Sequence, residues 1–195
     1  MRKYKEKEIL IFKTTWGLFS EKGFHDIKIS EIAKLSGIGK GTVYEYFKSK
    51  EELVQEMIIY NLEIAHEKVI SEIEIIDSPV EKLRVIGIND INRKMDILKT
   101  LKIIQMITDF SKNNIKESVF ENIGKRFKLV QEIIEEGIKE GIINTDNASN
   151  ATILYTGTMN NALMIDNFTN GSAINMDEIL EYVIDTLTKK ASDYR

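Results

Sequence analysis

The sequence predicts an all-α protein with a small N-terminal three-helix head and a larger helical body. Three observations lead there: apolar residues recur at three- and four-residue spacing along nearly the whole chain, alternating β-branched runs between turn residues are hard to find, and proline occurs once, at Pro79. A chain of 195 residues has room for one large domain or for a head joined to a body. With 43% hydrophobic and 30% charged residues, its composition is that of a chain that buries a core, not of a disordered tail.

Taken in order, Ile9, Phe12, Thr15, Trp16 and Phe19 form one stripe of a first helix over roughly residues 5 to 22, which Gly23 is expected to end by turning left-handed. A short apolar segment around Ile29, Ile32, Ala33 and Leu35 closes at Gly37, and after one tight turn a second short segment runs from Lys40 to Phe47. The periodic run from Lys50 to about Ile76, with Leu53, Met57, Ile58, Leu62, Ile64, Ala65 and Val69 on its apolar faces, would link head to body. Ser78-Pro79 starts the next helix. Further helices are expected at roughly 79 to 91, 93 to 112, 115 to 140, 147 to 168 and 176 to 191, broken at Asn113-Asn114, Gly141, Asn144 to Asn147 and Asn170-Gly171. Thr145 or Asp146 is expected to cap the helix near Ala148. The domain boundary is drawn at residue 50: a head over 1–50, with its motif at about 29–47, and a body over 51–195.

The absence of cysteine excludes disulfides, thiolate metal sites and cysteine nucleophiles, and a cytoplasmic location is the simplest expectation. The apolar part of MRKYKEKEILIF is short and stops at Lys13, so neither a secretory signal nor a membrane partner is expected. The net charge of −4 conceals a split: residues 1–50 carry 11 Lys and Arg against 6 Asp and Glu, a net +5, which leaves −9 for the remainder. A basic head on an acidic body suits a polyanion partner for the head.

ISEIAKLSGIGKGTVYEYF, from Ile29 to Phe47, fits a short helix, a glycine turn and a second short helix, the unit that lays a recognition helix in the DNA major groove. Ala33 is small where two helices cross, Gly37 supplies positive φ, Ile38 plugs the core, and Val43 and Phe47 face inward. The outward set is then Lys40, Gly41, Thr42, Tyr44, Glu45 and Tyr46, joined by Lys50. Lysines offer charge, Thr42 and the tyrosines hydrogen bonds to phosphate, Gly41 a close backbone approach, and Glu45 an acceptor for a cytosine amine. For any one of these residues, amphipathic packing or a solvated face is an equal alternative; the weight lies in the constellation.

LFSEKGFHDIKISEIAKLSGIGKGTVYEYFKSKEELV, within about Ile9 to Val54, resembles the N-terminal signature of the TetR family. The matching features are Phe19, Gly23-Phe24, Ile32-Ala33, Gly37, Gly41-Thr42-Val43-Tyr44, Phe47 and Ser49-Lys50-Glu51. The resemblance implies a homodimer, a DNA-binding head, a connector in the fourth helix and a variable body that holds a small-molecule effector. It further implies a transcription regulator, usually a repressor released from a palindromic operator by its inducer. By position, Lys40, Thr42, Tyr44, Tyr46 and Lys50 would contact DNA, and Gly41 would permit close approach. Two residues depart from the family pattern: Lys28 stands where Ser or Thr often caps the second helix, and Gly39 where Ser often caps the third. Ser30 is expected to compensate for the first, and Lys28 and Ser30 are expected among the DNA contacts, Lys28 as an extra one to phosphate.

In the body, Leu154, Thr158, Ala162, Ile165, Leu180, Val183, Ile184 and Leu187 lie on broad stripes of the last two helices, which the resemblance assigns to a dimer interface; intramolecular core is the alternative reading. Met106, Phe110, Phe127, Met159 and Asn160 are candidates for the effector pocket, with ordinary core the favoured alternative for each. His25 and His66 lack paired metal spacing and are expected to be on the surface or satisfied, and Glu135-Glu136 to lie on a solvated face. No nucleophile elbow, phosphate-cradling loop or triad is visible, so no catalytic residue, metal or cofactor is expected, and the chain is not expected to be an enzyme. The rival is a helical ligand carrier or interaction protein with a degenerate head that no longer binds DNA.

Overall fold

A computed structural model describes residues 3–93, 117–169 and 174–189, and every regular element among them is helical. In chain order these are α1 (Glu6–Asp26), α2 (Ile29–Ser36), α3 (Lys40–Tyr46), α4 (Lys50–Ile73), α5 (Pro79–Asn92), α6 (Glu117–Lys139), α7 (Ala148–Phe168) and α8 (Met176–Thr188). The helix expected at roughly 93 to 112 and the breaks at Asn113-Asn114 and Asn170-Gly171 fall outside the described residues, apart from Arg93 at the end of α5.

Local chemistry accounts for the helix ends. Ser78 Oγ accepts from the Glu81 amide at 3.4 Å, with Pro79 in the first turn of α5. Gly141 takes φ +71° after α6. Two expectations need correction. Gly23 does not end α1, which runs on to Asp26; the stop comes from Ile27, extended at φ −75° and ψ 129° with its side chain buried, so core packing decides where the helix ends. At α7 the cap is Asn147, not Thr145 or Asp146: Asn147 Oδ1 accepts from the Asn150 amide at 2.9 Å, while Thr145 Oγ1 accepts from the Asn147 amide at 3.2 Å.

The described residues form two compact units, one of 3–64 with 117–122 and one of 65–93, 123–169 and 174–189. The core of the first is built from Ile11, Phe12, Ile32, Val43, Phe47, Leu53 and Met57. A boundary at residue 50 therefore falls inside this unit, because Leu53, Val54, Met57 and Ile58 of α4 are buried in the same core as α1 and α3. Among the described residues, no helix is long and apolar enough to cross a membrane.

In the second unit α7 packs on α8, and α5 on α8, around Leu83, Ile86, Val130, Ile134, Tyr155 and Leu180. Tyr155, 1% exposed, donates its hydroxyl to the Leu83 carbonyl at 2.6 Å and so satisfies a polar atom deep in the core. Burial pushes that hydroxyl's pKa far above its ordinary value, and Asp90 adds to the effect. Gly87 of α5 makes the close approach: a Cβ there would lie 2.9 Å from Leu180 Cδ2 and 3.0 Å from the Tyr155 hydroxyl. Overpacking of this kind costs about 1–3 kcal/mol, against a helix-propensity gain of about 0.5–1 kcal/mol. Gly87→Ala is expected to lower the thermal midpoint, and a midpoint at or above that of the parent chain would refute the tight packing at this crossing.

Candidate nucleic-acid interface

α2 and α3 meet through a glycine turn. Gly37 adopts φ +66°, its amide donates to the Lys34 carbonyl at 3.3 Å, and the Ile38 amide donates to the Ala33 carbonyl at 3.0 Å, which closes the end of α2. Ile32 and Ala33 are buried beneath the turn, and Ser36 Oγ donates to the Ile32 carbonyl at 2.7 Å. Neither Lys28 nor Gly39, the N-cap residues of α2 and α3, makes a side-chain cap hydrogen bond, and Ser30 is exposed. α3 has seven residues and a glycine cap, so packing must hold it in place. Val43 and Phe47 supply that packing: they are 0% and 2% exposed, and the Phe47 ring lies 5.5 Å from that of Phe12 on α1.

With those two side chains inward, Lys40, Gly41, Tyr44 and Glu45 are exposed and Thr42 and Tyr46 are half-buried. The Lys40 ammonium stands 5.8 Å above the Tyr44 ring. Lys28 is exposed. Lys50 is tied down: its Nζ donates to the Ile27 carbonyl at the end of α1, 3.2 Å away, placing a cation where the helix dipole is negative. α4 is started by Ser49 Oγ, which accepts from the Glu52 amide at 3.1 Å, while Glu52 Oε2 accepts from the Lys48 amide at 2.7 Å. Sequence reasoning missed Lys48, exposed two residues after the end of α3, and the residues before α1. Tyr4 is buried edge-on to Phe12 at 5.4 Å, and Lys5 Nζ lies 5.6 Å from the Tyr46 ring. Helical periodicity could not have found Tyr4, because it lies before α1 and its burial is a tertiary contact.

Three of the five expected pocket residues are among the described ones. Met159 is 1% exposed in the core, its neighbour Asn160 is exposed, Phe127 is exposed on α6, and Met106 and Phe110 lie outside the described residues. The expected interface divides in two. Leu154 and Ile165 are exposed and Thr158 half-buried, along an open groove with Ile153, Gly157 and Asn161 on α7. Ala162, Leu180, Val183, Ile184 and Leu187 are buried within the single chain, so their apolar stripe is accounted for by this chain's own core.

A polar cluster does form inside the second unit. Arg126 of α6 donates to Asp90 Oδ1 at 2.7 Å and to the Ile86 carbonyl at 3.0 Å, and Asn89 donates to Glu72 Oε2 at 2.6 Å. Contrary to expectation, the buried Nδ1 of half-buried His66 has no hydrogen-bond partner among the described residues. Burial foremost, then Lys125 and Arg126, lower its pKa, and Glu67 opposes them. The His25 side chain lies outside the described ones. Glu136 accepts from Lys82 Nζ at 2.8 Å, whereas Glu135 is exposed. Among the described residues no group of three or more His, Cys, Asp or Glu could hold a metal ion.

The family model for bacterial regulatory proteins of the tetR family matches residues 11–57, the stretch that contains the helix-turn-helix and the start of α4. The match is to the head alone, which carries the N-terminal signature of that family. The HTH-type transcriptional regulator YuxN of Bacillus subtilis is 48% identical over 56 residues, 29% of this chain, and the match spans 19% of that relative's own length. The fatty acid metabolism regulator protein of B. subtilis is 24% identical over 73% of this chain and 74% of its own. The crystal structure of the B. subtilis regulator FadR in complex with stearoyl-CoA shares the fold at TM-score 0.74, with 21% identity over 93% of this chain and 97% of that one.

The lowered pKa of His66 fixes a sign. A histidine whose pKa is lower in the folded than in the unfolded state leaves the unfolded chain binding more protons between those two values, so stability falls on acidification below about 6.5. The protein is expected to lose thermal midpoint between pH 7.5 and 5.5, and His66→Gln to lose less. Equal losses in both proteins would remove His66 as a source of acid sensitivity.

Proposed function

We propose that this protein is a regulator of the tetR family, a homodimeric repressor that binds a palindromic operator through α3 and is released by a small-molecule inducer held in the body. The observation that supports it best is the two-sided construction of α3, with Val43 and Phe47 fixed in the head core and Lys40, Gly41, Thr42, Tyr44 and Glu45 left outward. Two such helices related by a two-fold axis would enter successive major grooves about 34–36 Å apart. Lys40 serves phosphate, Gly41 allows the backbone to come close, and Thr42, Tyr44 and Glu45 reach base edges or phosphate. The outer face of α7, with Leu154, Thr158 and Ile165, is the surface this reading gives to the second copy.

The inducer shifts the population towards a body arrangement that moves α4 and changes the separation of the two recognition helices. Similarity over most of the chain to the fatty acid metabolism regulator protein and to the stearoyl-CoA complex makes long-chain acyl-CoA the first effector class to try.

The test is binding of the purified protein to a DNA fragment spanning its own promoter and to a scrambled fragment, with and without stearoyl-CoA. Preference for the promoter fragment is expected, and Tyr44→Ala should abolish it. Lys40→Ala should weaken both fragments alike and flatten the log–log salt slope by about 1. By linkage, an inducer that weakens operator binding binds less tightly to the DNA complex. Equal affinity for the two fragments would refute sequence-specific regulation, and unchanged operator binding in stearoyl-CoA would refute the acyl-CoA assignment alone.

A further inference from the structure

The chain before α1 is built into the head. Tyr4, 8% exposed, meets Phe12 at 5.4 Å and Tyr60 at 5.3 Å, both edge-on. Phe12 meets Phe47 at 5.5 Å, Phe47 meets Tyr46 at 6.1 Å, and Lys5 Nζ returns to the Tyr46 ring at 5.6 Å. These contacts form a closed circuit that fixes the first residues against the C-terminal end of α3. The Lys5 amide is also held, donating to Glu8 Oε2 at 2.9 Å. Lys3, Lys5 and Lys7 are exposed, and Glu6 is the one acid among them, so residues 3–7 carry a net +2 beside the recognition helix.

We infer that this segment is a second DNA contact, a phosphate clamp in which Lys3 and Lys5 hold the backbone next to the groove that α3 enters. The inference rests on the DNA-binding reading of α3. Its chemistry is that of a preplaced cation: an exposed cation–π contact orients Lys5 and is weaker than the charge-assisted hydrogen bond a phosphate offers. Because Tyr4 and Lys5 are already ordered by the head, little conformational entropy is lost when the clamp closes. A phosphate contact carries no sequence information, so the clamp adds affinity and register to both cognate and other DNA.

The experiment compares salt titrations of the full-length parent, Lys3→Gln/Lys5→Gln, and a body control, Lys128→Gln/Lys139→Gln, which removes the same charge from exposed positions on α6. Each is run on the promoter fragment and the scrambled fragment. The arm variant is expected to weaken binding to both fragments by the same factor and to flatten the slope by roughly 0.9 for each phosphate that is no longer neutralised. The body control should match the parent, and circular dichroism should match throughout. An unchanged slope in the arm variant overturns the clamp, as does an equal change in the body control. Weakening confined to the promoter fragment also overturns it, because that is base readout. If the parent does not distinguish the fragments, the regulator reading fails while the slopes still decide the clamp; if the parent binds neither, both fail.

Discussion

The seating of Phe47 and Val43 behind α3 is the constraint on which the head depends. A helix of seven residues with glycine at its N-cap has almost no stability of its own, because helix nucleation costs more than so few hydrogen bonds return. Its orientation is therefore imposed by tertiary packing, and the two inward side chains settle which residues are left outside. The same packing reaches the chain's beginning, since Phe12 touches Phe47 on one side and Tyr4 on the other. Lys50 extends it in another direction by closing the end of α1 on Ile27. A residue first read as a DNA contact is thus also a strut.

The second unit obeys a different constraint. α5 comes close to Tyr155 and Leu180 only because residue 87 has no side chain, and the buried tyrosine is tolerated only because the Leu83 carbonyl accepts its hydrogen bond. That crossing draws Leu180, Val183, Ile184 and Leu187 into the core, leaving the α7 face with Ile153, Leu154 and Ile165 as apolar surface turned outward. An amphipathic stripe says that a face is covered; it does not say by what. On α8 the cover is the chain itself.

The head was far more legible in the sequence than the body, for physical reasons. Helix existence followed from three- and four-residue spacing, and Ser78-Pro79, Gly37 and Gly141 marked boundaries by chemistry local to a few residues. Gly23 misled because glycine is tolerated inside a helix, and α1 ends where Ile27 finds a buried site, a tertiary fact. Thr145 and Asp146 misled because three neighbouring side chains can all cap, and only geometry selects Asn147. The pocket candidates Phe127, Met159 and Asn160 differ in burial, because Met and Phe at helical spacing carry no information about convergence.

His66 shows the limit of sequence reading most clearly. A lone histidine without paired spacing is ordinarily satisfied or solvated, yet here Nδ1 is buried without a partner among the described residues, beside two cations that disfavour its protonation. Such an atom costs on the order of 1–3 kcal/mol unless something answers it. Arg126, one of those cations, is engaged through one guanidinium nitrogen with Asp90 and the Ile86 carbonyl. Neutral His66 has one nitrogen that accepts and one that donates, so a group meeting Nδ1 could take either role at no cost in charge. Among its described residues the second unit thus keeps an adaptable polar atom beside a set of closed pairs. This asymmetry arises from the three-dimensional meeting of α4, α5 and α6, which no spacing within any one of them encodes.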